Sequence, residues 1–222
     1  VKFDPGALAR ASAPLSVAAM TAEQDEPKRL RLFVALDLPD RTRAGIAEWG
    51  RGALLDPALR PVTEESLHIT LAFLGSRAEA EVDPIAAVVR ECGLPAPKIE
   101  LGQPEPRPRR GRAKVYALPV ASEGTKALQA GLVSKLASAG LYEAEERPFW
   151  PHVTVARVRS EAGGKRRPRI VERPPRGLPQ ELMQTHRAVR LSFYLSKLQP
   201  EGARYVPLAQ VELPRQGGSE VI

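Results

Sequence analysis

Two stretches decide how this chain is read: Ser66-Leu-His-Ile-Thr-Leu-Ala-Phe-Leu-Gly75 and His152-Val-Thr-Val-Ala-Arg-Val158. Each is dense in aliphatic and β-branched residues, and a glycine stops the first, so both read as strands. Side chains two positions apart in a strand share a face. His68 and Thr70 therefore point one way, with Leu67, Ile69, Leu71 and Phe73 pointing the other way into a core. His152 and Thr154 are paired in the same manner, with Val153 and Val155 behind them. Two of the chain's 3 histidines thus occur in one repeated context. The third, His186 in Gln-Thr-His-Arg, lacks the pattern and reads as a surface residue.

Working outward, Arg29-Leu-Arg-Leu-Phe-Val-Ala-Leu-Asp-Leu38 reads as a buried strand closed by Pro39. A helix is expected over 40–55, with Asp40 as its cap, and a second over 78–92. A strand near 97–102 precedes a Pro/Arg-rich hairpin or loop at 103–112. Ala113-Lys-Val-Tyr-Ala-Leu-Pro-Val120 reads as a strand. Residues 123–139 place Leu128, Leu132, Val133 and Leu136 on one helical face. Residues 160–179 read as an exposed loop. The final strands are Ala188-Val-Arg-Leu-Ser-Phe-Tyr-Leu-Ser196 and Arg204-Tyr-Val-Pro-Leu-Ala-Gln-Val-Glu212. A helix precedes each His-x-Thr strand, so the pattern suits a duplicated lobe. The expected class is α/β of the α+β type, with largely antiparallel sheets and lobes that face each other across a cleft.

The 222 residues suit one large domain or two small lobes. Residues 1–27 read as a disordered extension, or as sequence upstream of a start at Met20. The folded domain is expected over 28–213, with a disordered tail at 214–222. A net charge of +7 favours polyanionic partners, nucleic acid ahead of a small neutral substrate. Cys92 is the sole cysteine, which excludes an intrachain disulfide and fits a reducing, cytoplasmic setting. It reads as a buried structural thiol rather than a nucleophile. No apolar run approaches a membrane span, so no membrane partner is expected.

An imidazole titrates near neutrality, so one of a pair can accept a proton while the other, protonated, donates one. A threonine hydroxyl can donate to a phosphate oxygen. Two such His-Thr pairs flanking a phosphorus suit in-line displacement with no metal and no cofactor. Two histidines without a Cys, Asp or Glu cluster make a poor zinc site. Arg157 is a further phosphate-holding candidate. Strict alternation places it opposite His152 and Thr154, so a bulge or strand end is required for it to reach them. Phe149 and Trp150, just before the second motif, are candidate stacking partners for a base, whereas Phe73 is expected to pack in the core. The runs Arg107-Pro-Arg-Arg-Gly-Arg112 and Lys165-Arg-Arg-Pro-Arg169 can follow an RNA backbone or simply be solvated. There is no Walker-type loop or nucleotidyl-transfer lysine motif.

The doubled motif, His68-Ile-Thr-Leu71 and His152-Val-Thr-Val155, resembles that of the two-histidine phosphoesterase superfamily. Arg31-Leu-Phe-Val-Ala-Leu-Asp-Leu-Pro39, Leu67-His-Ile-Thr-Leu-Ala-Phe-Leu-Gly75 and Phe149-Trp-Pro-His-Val-Thr-Val-Ala-Arg157 are similar to the bacterial and archaeal RNA 2′,3′-cyclic phosphodiesterases, also called 2′-5′ RNA ligases. The resemblance covers roughly Lys28 to Leu213. It implies a bilobal, pseudo-twofold fold and hydrolysis of RNA 2′,3′-cyclic phosphate ends, or cyclic mononucleotides, to 2′-phosphates, by a chain acting as a monomer. It further implies His68 as proton donor, His152 as proton acceptor, and Thr70 and Thr154 as phosphate holders. The alternatives are ATP-independent 2′-5′ joining of RNA at the same site, and a non-catalytic nucleotide- or RNA-binding module.

Overall fold

The structure, a computed structural model, describes residues 28–109, 111–143, 145–161, 167–199 and 202–214. The extension expected over 1–27 lies outside them, as does the expected tail apart from Pro214. So do Arg110 and part of the second basic run, 165–166.

The chain begins with β1 (Arg29–Asp37), whose last six residues are buried. Pro39 turns it into α1 (Asp40–Ala53). Asp40 is not the cap expected from the sequence: the Pro39 carbonyl accepts the N–H groups of Thr42 and Arg43 at 2.9 and 3.0 Å. Asp40 is therefore the first helical residue. There its carboxylate meets the positive end of the helix dipole and accepts from Arg43 Nη2 at 2.6 Å. Next come β2 (Leu59–Pro61), β3 (His68–Ala78) and α2 (Val82–Arg90). They are followed by β4 (Lys98–Leu101), β5 (Glu105–Arg107) and β6 (Val115–Ala121).

The Ser122 hydroxyl accepts Thr125 N–H at 3.0 Å and caps α3 (Glu123–Ser138). Leu128, Leu132 and Leu136, one helical turn apart, are its buried stripe, and Val133 is half-buried beside them. After β7 (His152–Val158), the next named elements are α4 (Gln180–Met183) and β8 (His186–Arg187). β9 (Arg190–Gln199) and β10 (Gly202–Glu212) form the closing hairpin. The short elements β2, α4 and β8 carry too few residues to show a period, which is why the sequence pattern missed them.

The class is α+β with antiparallel pairing throughout. The strand order is β10-β9-β1-β3-β7-β6-β4-β8, with β2 on β7 and β5 on β6. The two halves of this ladder meet at its middle through one residue pair, Ile69 with Val153. Both side chains are fully buried. Carrying that antiparallel register one residue either way sets His68 beside Thr154 and Thr70 beside His152.

Simple alternation fails just beyond each motif, and in the same way. In β3 the register to β1 passes from Thr70 opposite Ala35 to Ala72 opposite Val34, leaving Leu71 as an extra residue. In β7 the register to β6 passes from Thr154 opposite Ala117 to Ala156 opposite Tyr116, leaving Val155 extra. Each is a β-bulge that resets the alternation. Leu71 and Ala72 are then both buried, and so are Val155 and Ala156. The next residue in each strand, Phe73 or Arg157, turns to the His-Thr face. Phe73 is thus not a core residue: it is 41% exposed, with the Arg31 guanidinium 4.6 Å above its ring centroid.

This predicts opposite costs for two neighbours. Ile69→Ala, at a fully buried position, loses about 2–5 kcal/mol of stability, whereas Phe73→Ala loses less than about 1 kcal/mol. Denaturant midpoints at constant m-value check both.

Candidate functional site

One face of the β3–β7 junction opens into a cleft of about 320 Å³. His68, Thr70, His152, Thr154 and Arg157 all line it, so five of the seven residues singled out in the sequence meet there. Arg157 arrives through the bulge at Val155. The sequence reading missed Arg31, Arg60, Ser66 and Tyr205, which also line it. For Arg31 a signal was present: a charge flanked by Leu30, Leu32 and Phe33 within a strand. Arg60 lies on a three-residue strand and gives no pattern; it is placed by its pairing with Arg157 across β2 and β7.

Each imidazole is held twice. His152 donates from Nδ1 to the Trp150 carbonyl at 2.8 Å, and its ring stacks on Trp150 at 4.3 Å and 16°. His68 is likewise bonded to the Ser66 backbone, again two residues upstream. Its ring stacks on Phe33 at 5.1 Å, with the edge of Tyr205 at 5.3 Å. A carbonyl acceptor at Nδ1 selects the Nδ1–H tautomer and leaves Nε2 as the working nitrogen. The Thr70 hydroxyl lies within hydrogen-bond distance of His68 Nε2, at 3.2 Å.

The Phe33 platform is itself anchored. Tyr194 stacks on it at 5.2 Å and donates its hydroxyl to Asp37 at 3.0 Å. Asp37 is buried and also accepts from Ser192 Oγ at 2.7 Å and Arg190 Nε at 3.2 Å. Its burial is compensated by these three donors.

The cleft is cationic. Among the described residues no carboxylate lies within ion-pair distance of Arg31, Arg60 or Arg157. Burial pushes the His68 pKa down to about 4, helped by the neighbouring His152 and by Arg157. Burial lowers His152 as well, and the charge of Arg107 adds to the shift. Both shifts favour the neutral imidazole at pH 7. Because they repel as cations, a proton brought in with an anion is carried by the pair, on one ring at a time.

The other two candidates lie to one side. Phe149 packs against the core, and Phe149 and Trp150 line a neighbouring groove that shares Thr70, Phe73 and His152 with the cleft. Trp150 spends its ring on His152 and on Arg107, whose guanidinium carbon is 3.9 Å from the ring centroid. His186 is half-buried, not a surface residue. It donates from Nε2 to the Leu182 carbonyl at 2.9 Å and accepts from Thr42 Oγ1 at 3.1 Å, tying α1 to α4 outside the cleft. Cys92 is buried, and its thiol pKa is raised by that burial, as a structural role requires. Among the described residues, no three His, Cys, Asp or Glu side chains cluster to hold a metal ion, and no helix is long and apolar enough to cross a membrane.

An antiparallel α+β ladder with paired His-x-Thr strands lining one cationic cleft defines the class of protein. The 2′-5′ RNA ligase superfamily model matches residues 38–189, and the chain belongs to that family. It is 31% identical to the Escherichia coli RNA 2′,3′-cyclic phosphodiesterase over 82% of this chain and 95% of that one. It is 30% identical to the Thermus thermophilus RNA 2′,3′-cyclic phosphodiesterase over 86% and 94%. Among solved structures, E. coli LigT complexed with 3′-AMP superposes with a TM-score of 0.66 at 26% identity, covering 85% of this chain and all of that one.

The depressed His68 pKa sets a stability signature. In the unfolded chain this imidazole binds a proton below about pH 6.5, whereas in the folded chain it does so only near pH 4. Its contribution to stability is therefore complete above pH 6.5 and is lost as the pH falls from 6.5 to 4. His68→Gln should flatten the loss of thermal stability over that window relative to the parent, as read by unfolding midpoints at each pH.

Proposed function

We propose that this protein hydrolyses 2′,3′-cyclic phosphate ends of RNA, and cyclic mononucleotides, to 2′-phosphates. The observation that carries this reading is the pair of imidazoles in a single cationic cleft, each held by backbone two residues upstream, with Thr70 and Thr154 lining the cleft beside them. The cyclic phosphate sits between the two Nε2 atoms. His152 takes a proton from the attacking water, and His68, protonated, gives one to the departing 3′ oxygen. Thr70 and Thr154 donate to the non-bridging oxygens, and Arg157 balances the charge that grows on them.

Electrostatics favours this division of labour. The empty site resists a proton; a phosphate anion offsets the surrounding guanidinium charge and lets one ring take it up. Arg157 bears on His68, so an anion beside Arg157 restores that imidazole most directly. The likeness of the two motif strands, down to the bulge after each threonine, supports a pseudo-twofold origin for the site. The names of the relatives favour hydrolysis over joining, in which an RNA 5′-hydroxyl would take the place of water. A reducing, cytoplasmic location and a monomeric chain complete the reading.

Phosphorus NMR of a 2′,3′-cyclic nucleotide in the presence of a chelator should show conversion to the 2′-phosphate alone. His68→Ala and His152→Ala should each lower kcat by about 10²–10⁴. Thr154→Val should lower it by about 10²–10³. Full turnover in either histidine variant, or a 3′-phosphate product, is incompatible with the mechanism.

A further inference from the structure

Arg107 stands outside the cleft, yet it is built toward it. β5, which carries it, is paired to β6, and the registers set Arg107 opposite Val115, Val115 opposite Arg157, and Arg157 opposite Arg60. Residues directly opposite one another in antiparallel strands point the same way. Arg107 therefore shares its face of the ladder with the two cleft arginines. Its side chain turns onto Trp150, with 3.9 Å from guanidinium carbon to ring centroid, while His152 stacks on Trp150 at 4.3 Å. Guanidinium and imidazole thus share one indole, and the Arg107 charge acts on His152.

The guanidinium is only partly used. Nη2 donates to Glu105 at 3.0 Å. Nε is buried with no hydrogen-bond partner among the described residues, while the side chain as a whole is 43% exposed. Held flat on an indole, the fork loses little freedom when it binds an anion, which is how arginine serves as a phosphate contact. In a polynucleotide the residue carrying a terminal cyclic phosphate has one further phosphate, on its 5′ oxygen, one ribose away. The reacting phosphate already has Arg31, Arg60 and Arg157 around it. Arg107 contacts the same indole as His152, which places the guanidinium within reach of a phosphate one ribose away from the reacting one.

We propose that Arg107 determines specificity by binding the phosphate on the 5′ side of the terminal nucleotide, so that a strand end is taken in preference to a nucleoside 2′,3′-cyclic phosphate that lacks a 5′-phosphate. This rests on the cyclic-phosphate reading above. Glu105 opposes the contact, because its carboxylate occupies one side of the fork and repels a second anion.

The test compares kcat/KM for a nucleoside 2′,3′-cyclic phosphate with and without a 5′-phosphate. The unsubstituted protein should prefer the 5′-phosphorylated compound by about tenfold or more, the range of one charge-assisted contact. R107Q should bring the ratio close to one by losing activity on that compound, and E105Q should widen it. If Arg107 serves only to steady Trp150 and His152, R107Q lowers both activities by one factor and leaves the ratio unchanged, which overturns the assignment. Equal rates on both compounds in the unsubstituted protein overturn it too. Conversion of neither compound refutes the hydrolase reading itself, and the two failures are thereby told apart. Thermal unfolding of R107Q and E105Q verifies that both variants are folded.

Discussion

Ile69 and Val153 face each other, fully buried, where the two halves of the ladder meet, and the cleft depends on that backbone pairing. It sets the register of β3 on β7, and the register decides which side chains lie together. A slip of one residue would send His68 and Thr70 to the core side and bring Ile69 and Leu71 to the cleft. Burial of Leu67, Ile69, Leu71, Val153 and Val155 makes that slip unfavourable, at roughly 1.5–3 kcal/mol for each large side chain exposed. The core thus fixes the site through alternation: apolar residues on one face commit histidine and threonine to the other.

The two bulges complete what alternation begins. Strict alternation beyond Thr70 and Thr154 would leave the end of each strand with nothing further to offer the cleft. An extra residue at Leu71 and at Val155 rotates the chain by one position and delivers Phe73 and Arg157. Both strands read His-x-Thr-x-Ala at these positions, and the alanine, buried in each case, is the residue that follows the bulge. A small side chain there lets two successive residues face the core without overpacking it.

Much of this was legible in the residues. The two His-Thr pairs, the long strands and the stripe of α3 follow from periods that a sequence displays. Phe73 was misplaced and Arg157 left undecided for one shared reason, since a bulge changes parity without altering composition. His186 was read as a surface group because its partners, Thr42 and the Leu182 carbonyl, are remote in sequence or become acceptors only once α4 forms. Arg60 and Tyr205 carry no local signal at all. Their place in the cleft comes from strand pairing, a long-range property. The aromatic supports of the histidines were half visible: Trp150 adjoins its motif, whereas Phe33 reaches His68 only through the pairing of β1 with β3.

The bond from His152 Nδ1 to the Trp150 carbonyl also governs how protons enter and leave. A ring so tied has a single open port, Nε2, and His152 lines the cleft. With substrate bound, the proton taken at that port comes from the attacking water. In the proposed reaction one ring starts with the proton and the other ends with it. Each cycle therefore leaves the centre in the mirror image of its starting state. Product departure readmits water, and only then can the two rings exchange their charge and re-arm. An open, wet cleft between turnovers is thus part of the catalytic cycle, and a lining that stayed sealed would stall it after one event.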